Sequence, residues 1–209
     1  MSELKVILFR DEAWESMPEA LKRRVAAGVD RIRSQLVFIA ARARVRTMPR
    51  IIVQPCVWHD RGQIVDATLC TLVSTPGHPE LGVVVSATVA LCEDEAVVRD
   101  VLMHEVGHCF ETARKLVDQA DLGSPASDLR GDPADEARDR RMLPEMADWF
   151  VGSTGSFMQW GTQPIVPTAE IQGLLDAGFL SLSDPPLMSP GTPSIPADWT
   201  GHIRSLRSG

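Results

Sequence analysis

The 209-residue chain has no long hydrophobic run, although 44% of its residues are hydrophobic. A membrane-spanning helix needs roughly 20 consecutive apolar residues, and no stretch of this chain approaches that length. The apolar run at residues 4–9 is too short for a signal peptide, and no small-residue cleavage site follows it. We therefore expect a cytoplasmic protein that has no membrane partner.

Cysteine pairs with metal-binding spacing are also missing. The four cysteines, Cys56, Cys70, Cys92 and Cys109, include no C-x-x-C pair, which excludes zinc-finger spacing. Most of them interrupt hydrophobic stretches. This pattern is typical of small buried side chains in a reducing compartment.

Negative charge is in excess, but one segment lacks it almost completely. The net charge is −7, yet residues 22–50 contain nine basic side chains and one acid, Asp30. The basic residues are Lys22, Arg23, Arg24, Arg31, Arg33, Arg42, Arg44, Arg46 and Arg50. Such a run is more often a solvated helix face than a nucleic-acid site, so we expect at most weak nucleic-acid binding.

The most informative motif is H-E-x-x-H, formed by His104, Glu105 and His108 between uncharged residues. Residues four apart in a helix project from one face, so both imidazoles can bind one metal ion. Glu105 lies about 100° further round the helix, close enough to hold a water molecule at that metal. Zinc suits this site because it accepts imidazole nitrogen and lowers the pKa of bound water to about 7.

The residues around the motif support a helix. Glu93, Asp94 and Glu95 place three acids at its expected start, where the helix dipole favours negative charge. Apolar residues at three- and four-residue steps form one face, and the opposite face carries the two histidines with Glu111 and Lys115. The apolar residues are Val98, Leu102, Val106, Cys109, Ala113 and Leu116. We expect the histidines to face a cleft.

This stretch resembles the metal-binding helix of the zincin metallopeptidases. Val101, the uncharged pair Val106-Gly107 and Phe110 fit the extended family pattern around the two histidines. The resemblance covers about ten residues and implies one zinc ion per chain, a peptide or protein substrate, and Glu105 as general base. It also implies that the strand before the helix borders the substrate cleft and pairs with an extended peptide.

A catalytic zinc ion needs a third protein ligand. The metzincin continuation is absent because Thr112 and Arg114 occupy its positions, and no aspzincin pattern follows. Glu145 with Ala147-Asp148 resembles the E…A-D-x-F signature of gluzincin-type families, which include ImmA/IrrE-like peptidases and minigluzincins. The resemblance implies that Glu145 binds zinc and that Asp148 hydrogen-bonds a ligand histidine.

The spacing of this second motif leaves alternatives open. Glu145 lies two residues before Ala147 rather than one or three, so Asp148 and Glu136 remain alternative ligands. The chain contains no tyrosine, which many zincins use to stabilise the oxyanion. A side-chain donor would therefore be an arginine, a tryptophan or one of three other histidines, His59, His78 and His202, which we expect at the surface.

The predicted fold is α+β and zincin-like, with a long N-terminal helix and a short mixed sheet over the H-E-x-x-H helix. The long helix begins with a capping box at Ser16 and Glu19 and runs to about Ala43. Strands are expected at residues 5–9, 50–54, 67–73 and 82–86. A polar loop at 118–131 should lead to helical segments at 133–142 and 145–151.

We expect two parts in the chain. Residues 1–160 form the zincin-like domain, and residues 161–209 form a proline-rich C-terminal extension with one short helix near residues 169–179. The predicted function is zinc-dependent peptide hydrolysis by a metal-activated water, with no organic cofactor. The alternatives are a zincin-derived regulatory domain that does not cleave, and a SprT-like protease associated with DNA.

Overall fold

The structure is a computed structural model that describes residues 4–60, 63–75, 78–122, 166–186 and 192–207. These ranges contain a mixed set of helices and strands, as the predicted α+β class requires. The helices are α1 (Glu12–Ser16), α2 (Glu19–Ala43), α3 (Ala87–Leu91), α4 (Glu95–Leu122), α5 (Thr168–Asp176) and α6 (Ala197–Arg207). The strands are β1 (Val6–Leu8), β2 (Arg50–Val53), β3 (Cys56–Asp60), β4 (Gln63–Val65), β5 (Ala67–Thr75), β6 (His78–Val85) and β7 (Ser181–Ser183).

The long helix α2 matches the predicted helix at its end and differs at its start. Its buried face follows the predicted apolar spacing, and the helix ends where Arg44 adopts a left-handed conformation with φ 54°. The predicted capping box is wrong, because Ser16 closes the short helix α1 and Pro18 stands at the N-cap of α2. Asp11 caps α1 by accepting a hydrogen bond from the Trp14 backbone at 3.0 Å.

The main sheet has the strand order β1-β2-β6-β5. Strands β1, β2 and β6 run parallel, and β5 pairs antiparallel with β6. Because β6 lies between β2 and β5, the predicted role of this strand as the open border of a cleft is wrong. The strand at the edge is β5, which contacts α4 as β6 does.

A second, three-stranded sheet was not predicted. Its order is β4-β3-β7, with β4 antiparallel and β7 parallel to β3. Buried Trp58 of β3 packs with Val84 of β6 in a small cluster separate from the main core. The second sheet therefore covers part of the main sheet, and residues 81–85 of β6 are buried on both faces.

Helix α2 packs against both α3 and α4. The contact with α3 depends on Gly28, because an added Cβ would lie 1.9 Å from the Ala90 carbonyl oxygen. No ordinary side chain fits that distance, so the two backbones approach closely at this point. None of the helices in the described ranges is long and apolar enough to cross a membrane.

The described C-terminal residues contribute to the main core. Helix α5 agrees with the short helix expected near residues 169–179. Helix α6 lies in the rest of the proline-rich extension, where no further helix was expected. Trp199 and Ile203 of α6 are buried in the main hydrophobic cluster. The Trp199 indole donates a hydrogen bond to the Thr47 carbonyl at 2.6 Å, so α6 packs on the segment that follows α2.

Candidate metal centre

The 28-residue helix α4 carries the complete H-E-x-x-H motif. Its start is as predicted, since the Asp94 carboxylate accepts hydrogen bonds from the backbones of Ala96 and Val97. Its end differs, because helix continues to Leu122 and replaces the first part of the polar loop expected from residue 118. The motif therefore lies well inside the helix, where the backbone fixes the relative positions of its side chains.

The two motif histidines face each other. The Nε2 atoms of His104 and His108 are 2.8 Å apart, and the rings meet nearly at right angles with centroids 4.3 Å apart. The structure therefore brings together two imidazole nitrogens from adjacent turns of one helix.

This donor set fits a zinc ion in chemistry and nearly in geometry. Tetrahedral zinc with bonds of about 2.0–2.1 Å separates two imidazole nitrogens by about 3.3 Å. The observed 2.8 Å is about half an ångström shorter, which small rotations of the two rings would correct. His104 and His108 would then hold the metal through Nε2.

The protonation state of His104 also suits a metal ligand. Burial, together with the neighbouring His108, lowers the pKa of His104 to about 3, so the ring is neutral at neutral pH. A neutral imidazole can offer a nitrogen lone pair to a metal, and in the metal-free pair one of the two Nε2 atoms donates the hydrogen of the 2.8 Å hydrogen bond. His104 is only 6% exposed, whereas 26% of the His108 side chain is accessible. The prediction of an open cleft therefore fits His108 better than His104.

A carboxylate lies behind His108. The Glu111 Oε2 atom is 3.3 Å from His108 Nδ1, and Glu111 Oε1 is 3.1 Å from Lys115 Nζ. Burial would raise the pKa of Glu111, but the hydrogen bond with His108 and the ion pair with Lys115 outweigh it and lower that pKa. Glu111 is therefore an ionised carboxylate that faces the ring from the side opposite His104.

Glu105, the predicted general base, is 7% exposed and follows His104 directly on the same helix. One residue corresponds to about 100° of rotation, so its carboxylate leaves the helix on a face beside the histidines. Its burial keeps the carboxylate in a region of low dielectric constant, where interactions with a nearby positive charge are strong.

The predicted third ligands cannot be placed. Glu145 and its alternatives Asp148 and Glu136 lie outside the described residues, as do the helical segments that would carry them. In the part of the chain that is described, no group of three or more His, Cys, Asp or Glu side chains could hold a metal ion. The described ligand set thus consists of the two histidines.

Among the described residues, the other histidines and Cys56, Cys92 and Cys109 add no ligand to this pair. His59 and His78 are exposed, as predicted, whereas His202 is half-buried. The three thiols are free, and the interpretation of the cysteines as small buried side chains is confirmed at Cys92 and Cys109 but not at half-buried Cys56.

Sequence reasoning did not assign a role to Glu111. It placed Glu111 and Lys115 on the same helix face as the histidines without connecting them. The signal was nevertheless present, because Glu111 follows His108 by three residues and Lys115 follows Glu111 by four. Such spacings bring side chains on a helix into contact.

No family model, curated protein or solved structure matches the chain. The interpretation of the centre therefore rests on its own residues and on the ten-residue resemblance described above.

Proposed function

We propose that the protein is a zinc-dependent peptidase with a zincin-like centre. The observation that carries this proposal is the pair of Nε2 atoms that face each other at 2.8 Å on one buried helix, with Glu105 as the next residue after His104. A pair of imidazoles alone would fit many metals and roles. The adjacent carboxylate favours hydrolysis, because it supplies a base beside the metal position.

In this proposal each motif residue has one task. His104 and His108 would hold the metal, and zinc would supply Lewis acidity towards a peptide carbonyl. Glu105 would take a proton from the attacking water and pass it to the departing amine. Glu145 is the proposed third ligand, with Asp148 and Glu136 as alternatives.

The position of β5 is compatible with an extended peptide substrate. Among the described strands of the main sheet, β5 pairs only with β6 and lies at the edge. It also contacts α4, which carries the proposed metal ligands. A peptide added to this edge by backbone hydrogen bonds would lie beside the helix.

Zinc content tests the metal part of the proposal. We expect one zinc ion per chain in the wild type after loading and dialysis, and almost none in His108→Ala. The matched control is His59→Ala, which removes an exposed histidine and should keep the zinc. Equal zinc in all three proteins would contradict the assignment.

Peptide cleavage tests the second part of the proposal, the peptidase activity. The substrate is a peptide library made by digesting a bacterial proteome, and mass spectrometry detects the new termini. Glu105→Gln should retain zinc and lose at least about 100-fold in cleavage rate, because it removes the base. Cleavage by both proteins at the same rate would contradict the role of Glu105. A wild type that binds zinc and cleaves no peptide would instead favour the non-cleaving regulatory domain.

The SprT-like alternative gains no support from the basic segment. At least four of its nine basic side chains form ion pairs within the chain, which leaves less positive charge for a nucleic acid. These are Lys22, Arg24, Arg33 and Arg50.

A further inference from the structure

We propose that Glu111, held by Lys115, is the residue that positions His108 for metal binding. This inference deepens the proposed function and rests on it. The sequence analysis assigned the hydrogen bond to a ligand histidine to Asp148, on a different segment. The geometry points instead to a partner on α4 itself.

The two nitrogens of His108 have separate partners. Its Nε2 atom faces His104 at 2.8 Å, and its Nδ1 atom faces the Glu111 carboxylate at 3.3 Å. These nitrogens lie on different sides of the imidazole ring, so this contact leaves Glu111 behind the ring rather than at the metal position. In the observed arrangement Glu111 is a partner of a ligand and not a ligand.

The contact selects one tautomer of His108. An ionised carboxylate only accepts hydrogen bonds, so Nδ1 of His108 must carry the hydrogen. In a neutral ring Nε2 then carries the lone pair. This is the form in which His108 can bind a metal through Nε2 without first moving a proton.

Lys115 fixes the carboxylate in this orientation. Its Nζ atom lies 3.1 Å from Glu111 Oε1, while the other oxygen faces His108. Both side chains are buried, and the three residues follow one another at steps of three and four along a single helix. Local helix geometry is therefore enough to bring these three side chains together.

The same helix provides a matched control. Arg114 and Asp118 form a second buried ion pair, with 2.7 Å between Nη1 and Oδ2. Asp118 lies ten residues, or about 15 Å along the helix axis, beyond His108. Neutralising Asp118 therefore perturbs a buried pair of the same kind without touching the histidines.

The first experiment measures the tautomer of His108 in the metal-free wild type. Imidazole ¹⁵N chemical shifts at pH 8 distinguish a protonated Nδ1 from a protonated Nε2, and the signals are assigned by their loss in His108→Ala. We expect the Nδ1–H form in the wild type and a mixture in Glu111→Leu. A wild type with Nε2–H, or with an even mixture, would overturn the proposal.

The second experiment measures zinc affinity by competition with a chelator. Removal of such a partner typically weakens metal binding 10–100-fold, which we expect for Glu111→Leu. Glu111→Gln keeps an oxygen acceptor of the same shape and should recover part of that loss. Asp118→Asn should leave the dissociation constant unchanged.

The outcomes separate this inference from the proposed function. Wild-type affinity in Glu111→Leu, or an equal loss in Asp118→Asn, would show that Glu111 has only a structural role. A wild type that binds no zinc would contradict the proposed function, whereas the tautomer of His108 would still decide the role of Glu111. If Glu111→Leu does not fold, the zinc affinity of Glu111→Gln and the tautomer of His108 in the wild type test the proposal.

Discussion

Helices α2 and α4 are both long, 25 and 28 residues, yet they place their charged side chains differently. The buried residues of α2 are apolar except for Gln35, and its basic side chains lie at or near the surface. Helix α4 instead buries seven polar or charged side chains: His104, Glu105, Glu111, Thr112, Arg114, Lys115 and Asp118.

This difference shows which charged side chains point to a candidate site. Exposed ion pairs such as Arg33–Asp30 contribute little because water screens them. Buried charges are costly unless they are paired, so a helix that retains several of them does so at the expense of stability. On α4 four of these residues, His104, His108's partner Glu111, Lys115 and Glu105, belong to or adjoin the candidate metal centre, whereas the basic run of α2 adjoins no described site.

The largest expected effect comes from removing one partner of a buried pair. Asp118→Ala removes the carboxylate that lies 2.7 Å from the buried Arg114 guanidinium, and we expect a loss of about 3 kcal/mol in the free energy of unfolding. The control is Asp30→Ala on α2, where the pair is 75% and 48% exposed and the loss should stay below about 1 kcal/mol. Denaturant titration measures both, and equal losses would remove the contrast between the helices.

A second prediction concerns the apolar side of α2. Gly28→Ala places a methyl group against the Ala90 backbone, so we expect a loss of roughly 1–3 kcal/mol from overpacking. Gly173→Ala is the control, because nothing lies within 4 Å of its added Cβ and it sits in α5. That variant should gain about 0.5–1 kcal/mol from helix propensity. A neutral Gly28→Ala would show that α2 and α3 can separate at low cost.

A half-buried carboxyl outside both helices, that of Asp66, provides a pH-dependent test. Burial raises the pKa of Asp66 to about 6, against the effect of the Thr88 hydroxyl that donates to it. The folded state thus holds a proton that the unfolded chain releases near pH 4, so wild-type stability falls as the pH rises from about 4 to 6. Asp66→Asn lacks this titration.

We expect Asp66→Asn to be more stable than the wild type by roughly 1–2 kcal/mol above pH 7, with the advantage shrinking towards pH 4. Unfolding curves at several pH values measure the difference. An advantage that does not change with pH would show that the Asp66 carboxyl titrates normally.

The smallest expected effect is binding of nucleic acid to α2. Because most of its basic side chains already have partners, we expect duplex DNA to bind with a dissociation constant no tighter than about 10⁻⁵ M at physiological salt. Fluorescence anisotropy in a salt series measures this. Tight binding that persists at high salt would instead favour the SprT-like alternative. It would also show that α2 carries a functional surface, as α4 is proposed to do.

Local patterns predicted much of the fold. The spacing of apolar residues located α2 and α4, and the β-branched run at residues 83–85 located β6. The start of α2 was missed because Asp11 and Pro18 gave the chain a separate short helix before it. The order of the main sheet was missed because pairing of β6 with both β2 and β5 depends on contacts distant in sequence.

The same distinction applies to the candidate site. The pairing of His104 with His108 follows from helix geometry, and so does the contact with Glu111, although the spacing was not used. A third ligand from residues 136–148 depends on how a distant segment returns to the helix, which no local pattern determines. For the same reason, local patterns did not locate α6, the helix that carries buried Trp199.

Trp199 also affects the order in which the protein can fold. Its ring stacks on Phe110, two residues after His108, with centroids 3.9 Å apart, and its neighbour Asp198 accepts hydrogen bonds from the backbones of Arg46 and Thr47. These contacts span 89 to 152 residues of chain, and contacts at such separations form slowly. During synthesis, α4 can therefore complete its packing only after residue 199 has left the ribosome.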